Sequence, residues 1–264
     1  MTGSTWAEGD LYEPYIGRWS REVGKQFVHD LAEPPGARWV DVGCGTGALT
    51  STILAQAAPE SVVGVEPAAG FLDVARANSR DARASFLGGD ADAIPLPGGS
   101  ADVVVLGLVL NFVPEPARAL RELRRVARPG GRVAAYVWDY AGEMQLIRTF
   151  WDAAVELDPS ASSLDEGNRF PICAPAALAR LFSEAGMTGV ESGAIVIPTR
   201  FRDFDDYWNP FLGGQGPAPS YAVSLSEERR QALRELLRSC LPQSADGSIA
   251  LSARAWTVVG TTPA

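Results

Sequence analysis

Residues 38–57 constrain the fold most, because a short apolar run meets a glycine-rich turn and then a helical pattern. The apolar run is 38–42. Three glycines then stand at alternate positions: Gly43, Gly45 and Gly47. Only glycine readily adopts the left-handed backbone of such a turn, and the N-terminus of the following helix offers free N–H groups. The segment predicts a strand, a loop and a helix that hold a nucleotide-type ligand against the backbone.

The same alternation of strand and helix patterns continues along the chain. Apolar runs predict strands near 38–42, 62–66, 84–87, 102–108, 132–138, 189–197 and 249–259. Helical spacing predicts helices near 47–57, 69–78, 116–127, 175–185 and 226–240. This order indicates an α/β fold: a doubly wound, Rossmann-like, seven-stranded and mostly parallel sheet with helices on both faces.

The sequence predicts one domain over 1–264, with two insertions in its core. The core is expected at about 36–138, 175–200 and 248–261. A helix at 12–33 precedes it, residues 1–11 are expected to be disordered, and the insertions at about 139–172 and 201–243 predict a small α-rich cap. Ligands bind at the carboxyl ends of strands in open α/β sheets, so we expect the cap to cover an acceptor pocket.

Composition excludes several classes of protein. The net charge of −9 argues against nucleic acid as a partner. No apolar run is long enough for a membrane span, and the first ten residues lack the pattern of a secretory signal. Three isolated cysteines and one lysine among many arginines suit a bacterial, cytoplasmic protein.

Two nucleotide ligands compete for the glycine loop. Gly43, Gly45 and Ala48 satisfy the dinucleotide fingerprint, and Glu66 follows at the spacing of a ribose-binding carboxylate, which permits NAD. Asp41 lies inside the first strand, where it can hold a ligand ammonium group. Asp90, after the third strand, can accept from an adenine amino group, and Asp92 is the alternative if the loop register differs.

Five motifs together resemble the class I S-adenosylmethionine (SAM)-dependent methyltransferases, and within them the branch that includes the ubiquinone/menaquinone C-methyltransferases (methyltransferase type 11). The motifs are Val-Asp-Val-Gly-Cys-Gly-Thr-Gly at 40–47, Val-Val-Gly-Val-Glu-Pro at 62–67, Gly-Asp-Ala-Asp-Ala-Ile-Pro-Leu-Pro at 89–97, Ala-Asp-Val-Val-Val at 101–105 and Arg-Pro-Gly-Gly at 128–131. The resemblance covers roughly residues 36–138. It implies SAM as methyl donor, with S-adenosylhomocysteine as product, and leaves the acceptor open.

The resemblance and the residue chemistry together give a set of expected cofactor contacts. Loop glycines approach the methionine part, and Glu66 accepts the ribose hydroxyls. Arg18 either pairs with the SAM carboxylate or belongs to a helix packed on the sheet. The expected cofactor-binding residues are Tyr15, Arg18, Trp19, Asp41, Gly43, Cys44, Gly45, Gly47, Glu66, Pro67, Gly89, Asp90, Ala91, Gly107 and Leu108. Tyr12 is a further residue of the expected lid.

No catalytic base is evident from the sequence. Asn111 stands where related sequences often carry a histidine, and the single histidine, His29, is expected on the surface, so neither a metal site nor a histidine-based triad is expected. Each candidate base is more readily explained as structural. The weak candidates for a role at the acceptor are Asn111, Asp139, Tyr140, Asp203, Asp205, Asp206 and Tyr207.

The predicted reaction is direct in-line methyl transfer to an oxygen, nitrogen or carbon nucleophile of a small molecule, driven by positioning and desolvation. A SAM-binding protein that does not methylate is one alternative. An NAD-dependent oxidoreductase is the other, although the chain lacks the usual proton donors of that class.

Overall fold

A computed structural model of the chain describes residues 13–264, with side chains from Tyr15 onward. The expectation of disorder for 1–11 and the lid role of Tyr12 lie outside the described residues.

The strands form one seven-stranded sheet in the order β3-β2-β1-β4-β5-β7-β6, with β7 antiparallel. The strands are β1 (Arg38–Val42), β2 (Ser61–Glu66), β3 (Ala84–Gly88), β4 (Ala101–Gly107), β5 (Ala127–Trp138), β6 (Thr188–Phe201) and β7 (Ile249–Thr261). The parallel register pairs Asp41 with Gly64 on one side and with Val105 on the other. The predicted doubly wound, Rossmann-like fold class is therefore confirmed.

The predicted helices are present, and further helices lie in the segments at about 139–172 and 201–243, where the sequence predicts an α-rich cap. The first four are α1 (Arg18–Leu31), α2 (Ala48–Gln56), α3 (Ala69–Asn78) and α4 (Pro116–Val126). The others are α5 (Gln145–Leu157), α6 (Glu166–Arg169), α7 (Pro175–Glu184), α8 (Phe204–Trp208), α9 (Pro217–Ser224) and α10 (Glu227–Cys240). The described residues also form a π-helical turn (Glu13–Gly17) and three 3-10 turns (Leu110–Phe112, Pro159–Ser163, Asn209–Gly213). Proline opens α4 and α7, and the Ser226 hydroxyl caps α10 by accepting from the N–H of Arg229.

The predicted start of β5 at 132 is wrong. The strand begins at Ala127, which pairs with Ala101, and the register then shifts so that Arg132 pairs with Val103. Gly130 has a φ of +72°, a conformation that a strand pattern does not reveal. The proline and glycines at 129–131, which predict a turn, therefore lie within an irregular part of the strand.

The described chain divides into two compact units. The sheet unit contains residues 21–137, 172–195 and 255–264, and its core consists of buried aliphatic side chains such as those at 103–106. The helical unit contains residues 13–20, 138–171 and 196–254. Its core is aromatic: the rings of Phe150 and Phe211 stack at 4.5 Å, and Tyr15 and Tyr207 each approach Phe211 at 5.4 Å.

Among the described helices, none has the length and apolar character that a membrane crossing requires. Within residues 13–264, no three histidine, cysteine or acidic side chains are grouped so that they could hold a metal ion.

Candidate functional site

The glycine loop after β1 is anchored to the end of β2. The N–H groups of Gly43 and Cys44 both donate to the Val65 carbonyl, at 2.7 and 3.1 Å. The N–H of Gly47 closes the turn by donating to the Cys44 carbonyl at 2.9 Å. Because Gly43, Gly45 and Gly47 have φ angles of +71°, +54° and +87°, this path disfavours any residue with a Cβ.

The loop glycines differ in what surrounds them. A Cβ at Gly43 would lie 2.6 Å from a Val109 methyl group, so packing inside the protein accounts for this glycine. A Cβ at Gly45 would meet nothing within 4 Å. The space beside Gly45 is therefore open, and a ligand can approach the backbone there.

The N-terminus of α2 is available to an anionic group. Gly47 occupies the N-cap position and provides no side-chain hydrogen bond to the first turn. The first N–H groups of a helix lack intrahelical partners and carry the positive end of the helix dipole. A ligand carboxylate fits this position.

Glu66 links the glycine loop to the end of β2. One carboxylate oxygen accepts from the Gly45 N–H at 3.1 Å, and the other accepts from the Ala68 N–H at 3.0 Å. The side chain is almost buried. A carboxylate offers about four acceptor positions, so these two bonds leave capacity for a pair of ligand hydroxyls.

Asp41 is a buried carboxylate beneath the loop. It accepts from the Thr50 hydroxyl of α2 at 2.7 Å and is 1% exposed. Burial raises its pKa to about 6; the Thr50 hydrogen bond opposes this shift, and the nearby charge of Glu66 adds to it. A buried carboxylate with a strongly raised pKa is a candidate functional group.

The end of β4 is packed against a tyrosine from β5. The Tyr136 hydroxyl oxygen lies 2.6 Å from where a Gly107 Cβ would be, and 3.3 Å from the same position at Gly24 of α1. Leu108 has a φ of +60°, and its N–H donates to the Tyr136 carbonyl at 2.8 Å. Tyr136 therefore holds the strained turn that carries Gly107 and Leu108; it leaves no room for a Cβ at Gly107 and little room for one at Gly24.

The end of β3 presents one exposed carboxylate. Asp90 is exposed, whereas Asp92, the alternative adenine contact, pairs with Arg118 at 3.4 Å. A Cβ at Gly89 would lie 2.6 Å from Pro95, so that glycine is needed for packing. Pro67 is exposed and Ala91 half-buried at the same edge of the sheet.

Cys44 fills space rather than offering a nucleophile. Its sulfur would lie 2.8 Å from a Cβ at Gly64, and its side chain is buried. Burial raises the pKa of its thiol well above the usual range, with further contributions from Asp41 and Glu66.

Asn111 lies in the 3-10 turn that directly follows β4. It is 9% exposed, and within the part of the chain that the structure describes neither its amide nitrogen nor its amide oxygen has a hydrogen-bond partner.

The expected lid residues Tyr15, Arg18 and Trp19 belong to the helical unit, and their contacts are there. The Arg18 guanidinium donates to Asp206 at 3.4 Å and lies over the Trp19 and Phe201 rings, at 4.5 and 5.0 Å from their centroids. The Arg18 Nε and Nη2 atoms have no hydrogen-bond partner among the described residues, so a contact of Arg18 with SAM stays a prediction.

The other acceptor candidates also belong to the helical unit. Asp139 is buried and accepts from Arg254 at 2.7 Å, and the Tyr207 hydroxyl donates to the Leu146 carbonyl. Burial raises the pKa of Tyr207 well above its usual range. Burial favours a raised pKa for Asp206. Hydrogen bonds from Arg202 and the positive charge of Arg18 outweigh the effect of burial, so the pKa of Asp206 is lowered.

These contacts favour structural roles for the helical-unit candidates. Tyr140 is likewise buried, with its ring 5.7 Å from Phe170. Asp205 pairs with Arg234, and Asp203 caps α8.

Three residues of this site were not anticipated from the sequence: Thr50, Val109 and Tyr136. Thr50 is the partner of Asp41, Val109 covers Gly43, and Tyr136 holds the β4 turn. A glycine in the middle of helix α1 was the available signal for Tyr136, because such a residue costs roughly 1 kcal/mol relative to alanine and indicates close packing.

Residues 40–135 match the family model of a methyltransferase domain. Two curated relatives agree with that match. The malonyl-[acyl-carrier protein] O-methyltransferase of Serratia marcescens is 34% identical over 131 residues, or 50% of this chain and 49% of the relative. The ubiquinone/menaquinone biosynthesis C-methyltransferase of Methylobacterium nodulans is 31% identical over 169 residues, or 58% and 66%. The chain spans about half the length of most curated relatives that it matches.

The fold also resembles solved structures. The YcgJ protein of Bacillus subtilis superposes with a TM-score of 0.61 at 16% identity, over 92% of this chain and 99% of that one. A similarity at this level of identity concerns the fold.

Proposed function

We propose that this chain, which belongs to the SAM-dependent methyltransferase family, transfers the methyl group of SAM to a small-molecule acceptor. The family predicted from the five sequence motifs is confirmed. The observation that carries the proposal is the pairing of an open glycine loop at Gly45 with the Glu66 carboxylate at the end of the neighbouring strand.

The residues at the carboxyl edge of the sheet fit the chemistry of SAM. Bound SAM supplies an electrophilic methyl group on a positively charged sulfur. In the proposal, Glu66 accepts the ribose hydroxyls, Asp90 accepts from the adenine amino group, and the N-terminus of α2 takes the methionine carboxylate. Asp41 provides negative charge for the ammonium group, directly or through water. The Gly107–Leu108 turn, held by Tyr136, lines the path of the methionine part.

As part of the same proposal, we assign the acceptor preference to the cap segments predicted at about 139–172 and 201–243. By their names, one curated relative is an O-methyltransferase of malonyl-[acyl-carrier protein] and the other is a C-methyltransferase of ubiquinone/menaquinone biosynthesis. Their similarity to this chain covers only part of its length, so neither acceptor is carried over.

The test is a matched pair of substitutions at left-handed glycines. Gly45→Asn places a side chain in the open space of the loop, and Gly189→Asn does the same at a φ of +58°, also with nothing within 4 Å of the Cβ position. Asparagine tolerates this conformation, so both variants are expected to fold. Calorimetric titration with SAM, S-adenosylhomocysteine and NADH then measures binding.

We expect the parent and Gly189→Asn to bind SAM and S-adenosylhomocysteine, and Gly45→Asn to lose both. Unchanged binding by Gly45→Asn contradicts the assignment of the loop. Binding of NADH instead of SAM supports the dinucleotide alternative.

A further inference from the structure

We infer that the Asn111 carboxamide binds the attacking atom of the methyl acceptor, and that this atom is the nitrogen of a neutral amine. The inference rests on the proposed methyl transfer and specifies its substrate class. It begins with the two buried amide atoms of Asn111 that have no hydrogen-bond partner within residues 13–264. Leaving a buried polar group unpaired is unfavourable, so a ligand that hydrogen-bonds to this amide accounts for asparagine at this position.

The two carboxylates beside the glycine loop are hydrogen-bonded within the protein. Asp41 accepts from Thr50, and Glu66 accepts from two backbone N–H groups. Asn168, in α6, illustrates a structural asparagine, because its amide nitrogen donates to the Ser162 carbonyl at 3.0 Å. Asn111 makes no bond of this kind within the described residues, so a capping hydrogen bond does not account for its position.

The turn that carries Asn111 is part of the ligand-binding edge. It follows β4 directly, and the N–H of Phe112 donates to the Val109 carbonyl at 2.8 Å. The Val109 methyl groups lie against Gly43 of the glycine loop. Asn111 is therefore two residues from a side chain that contacts the proposed SAM loop, at the edge where open α/β sheets bind their ligands.

The chemistry of a carboxamide narrows the acceptor. Its oxygen accepts from an N–H or O–H group, which a carbon nucleophile does not offer, and it does not titrate, so it removes no proton. An aromatic amine is uncharged at neutral pH and attacks through its lone pair without losing a proton first, whereas an alkylammonium or an alcohol needs a base. In the step, the nitrogen–methyl bond forms as the sulfur–methyl bond breaks, the electron pair stays on sulfur, and the methylated ammonium then loses its proton to water.

The experiment uses SAM with a ¹³C-labelled methyl group and a panel of primary amines, phenols and hydroquinones with matched carbon skeletons. NMR of the products distinguishes methyl groups on nitrogen, oxygen and carbon. We expect N-methyl products alone. Methyl transfer to oxygen or carbon overturns the inference but leaves the proposed function intact, whereas SAM binding without any transfer overturns both.

Two variants test the role of the side chain. Asn111→Leu removes the unpaired amide while keeping similar volume, so we expect a higher unfolding temperature, unchanged SAM affinity and a kcat/KM for the amine reduced roughly tenfold or more. The control Asn168→Leu loses a paired amide, so we expect a lower unfolding temperature for this variant. Full activity of Asn111→Leu, or a lowered unfolding temperature, contradicts the inference.

Discussion

Replacing Asp41 with asparagine is expected to stabilise the protein at neutral and alkaline pH while weakening SAM binding. The Asp41 carboxylate is fully buried, and burial raises its pKa from 3.8 to about 6. A carboxylic acid with a raised pKa in the folded state opposes folding when it is ionised. Asparagine can still accept a hydrogen bond from the Thr50 hydroxyl, but it has no charge to bury.

The size of the effect follows from the pKa difference. At pH values between the unfolded and folded pKa, the folded protein binds more protons, so the free energy of unfolding falls as the pH rises. Above about pH 6 the full penalty is present, about 3 kcal/mol for a shift of about two units. The stability difference between Asp41→Asn and the parent should therefore grow by about 2 kcal/mol between pH 4.5 and pH 8.

Urea unfolding of both proteins across this pH range measures the difference. Asp102 provides a control of opposite sign, because hydrogen bonds from Arg38 and Arg128 lower its pKa despite some burial. Its stabilising effect is present above its unfolded pKa and is lost as the pH falls through the folded value. Asp102→Asn should thus destabilise the protein at pH 8 and less so in acid.

A stability difference that does not change with pH refutes the argument for Asp41, as does a loss of stability at pH 8. We also expect Asp41→Asn to raise the Kd for SAM roughly tenfold, because the ligand ammonium loses a charged partner. An unchanged Kd would assign Asp41 a purely structural role.

Three further predictions concern the same molecule. Glu66→Gln should raise the Kd for SAM roughly tenfold, measured by calorimetry, because charge-assisted hydrogen bonds to the ribose are lost; an unchanged Kd contradicts the ribose assignment. Gly107→Ala should lower the free energy of unfolding by about 1–3 kcal/mol in urea, since its Cβ would lie 2.6 Å from the Tyr136 hydroxyl. This loss of stability should be smaller in a Tyr136→Phe background, and additive effects of the two substitutions contradict the contact. Burial raises the pKa of Glu166 to about 7, although the hydrogen bond from Trp151 opposes this shift. Glu166→Gln should therefore become more stable relative to the parent as the pH rises from 5 to 9. A stability difference that stays constant over this range contradicts the raised pKa.

The sequence by itself determined the seven strands, the helices of the core, the glycine loop and the family. These features follow from local physics: apolar periodicity selects strand or helix, proline and serine mark helix starts, and left-handed turns require glycine. The starts of α4 and α7 at Pro116 and Pro175 agree with the predicted positions for this reason.

Only the tertiary structure decided which side chains meet. Asp41 and Thr50 are nine residues apart on different elements, and Tyr136 leaves no room for a Cβ at Gly107 at the end of β4. Arg254 donates a hydrogen bond to Asp139, which is more than one hundred residues away in the sequence. From the sequence alone, Asp139 was a candidate base. The sequence also could not show that the Asn111 amide is buried and unpaired, because burial and hydrogen bonding depend on neighbours that are distant in the sequence.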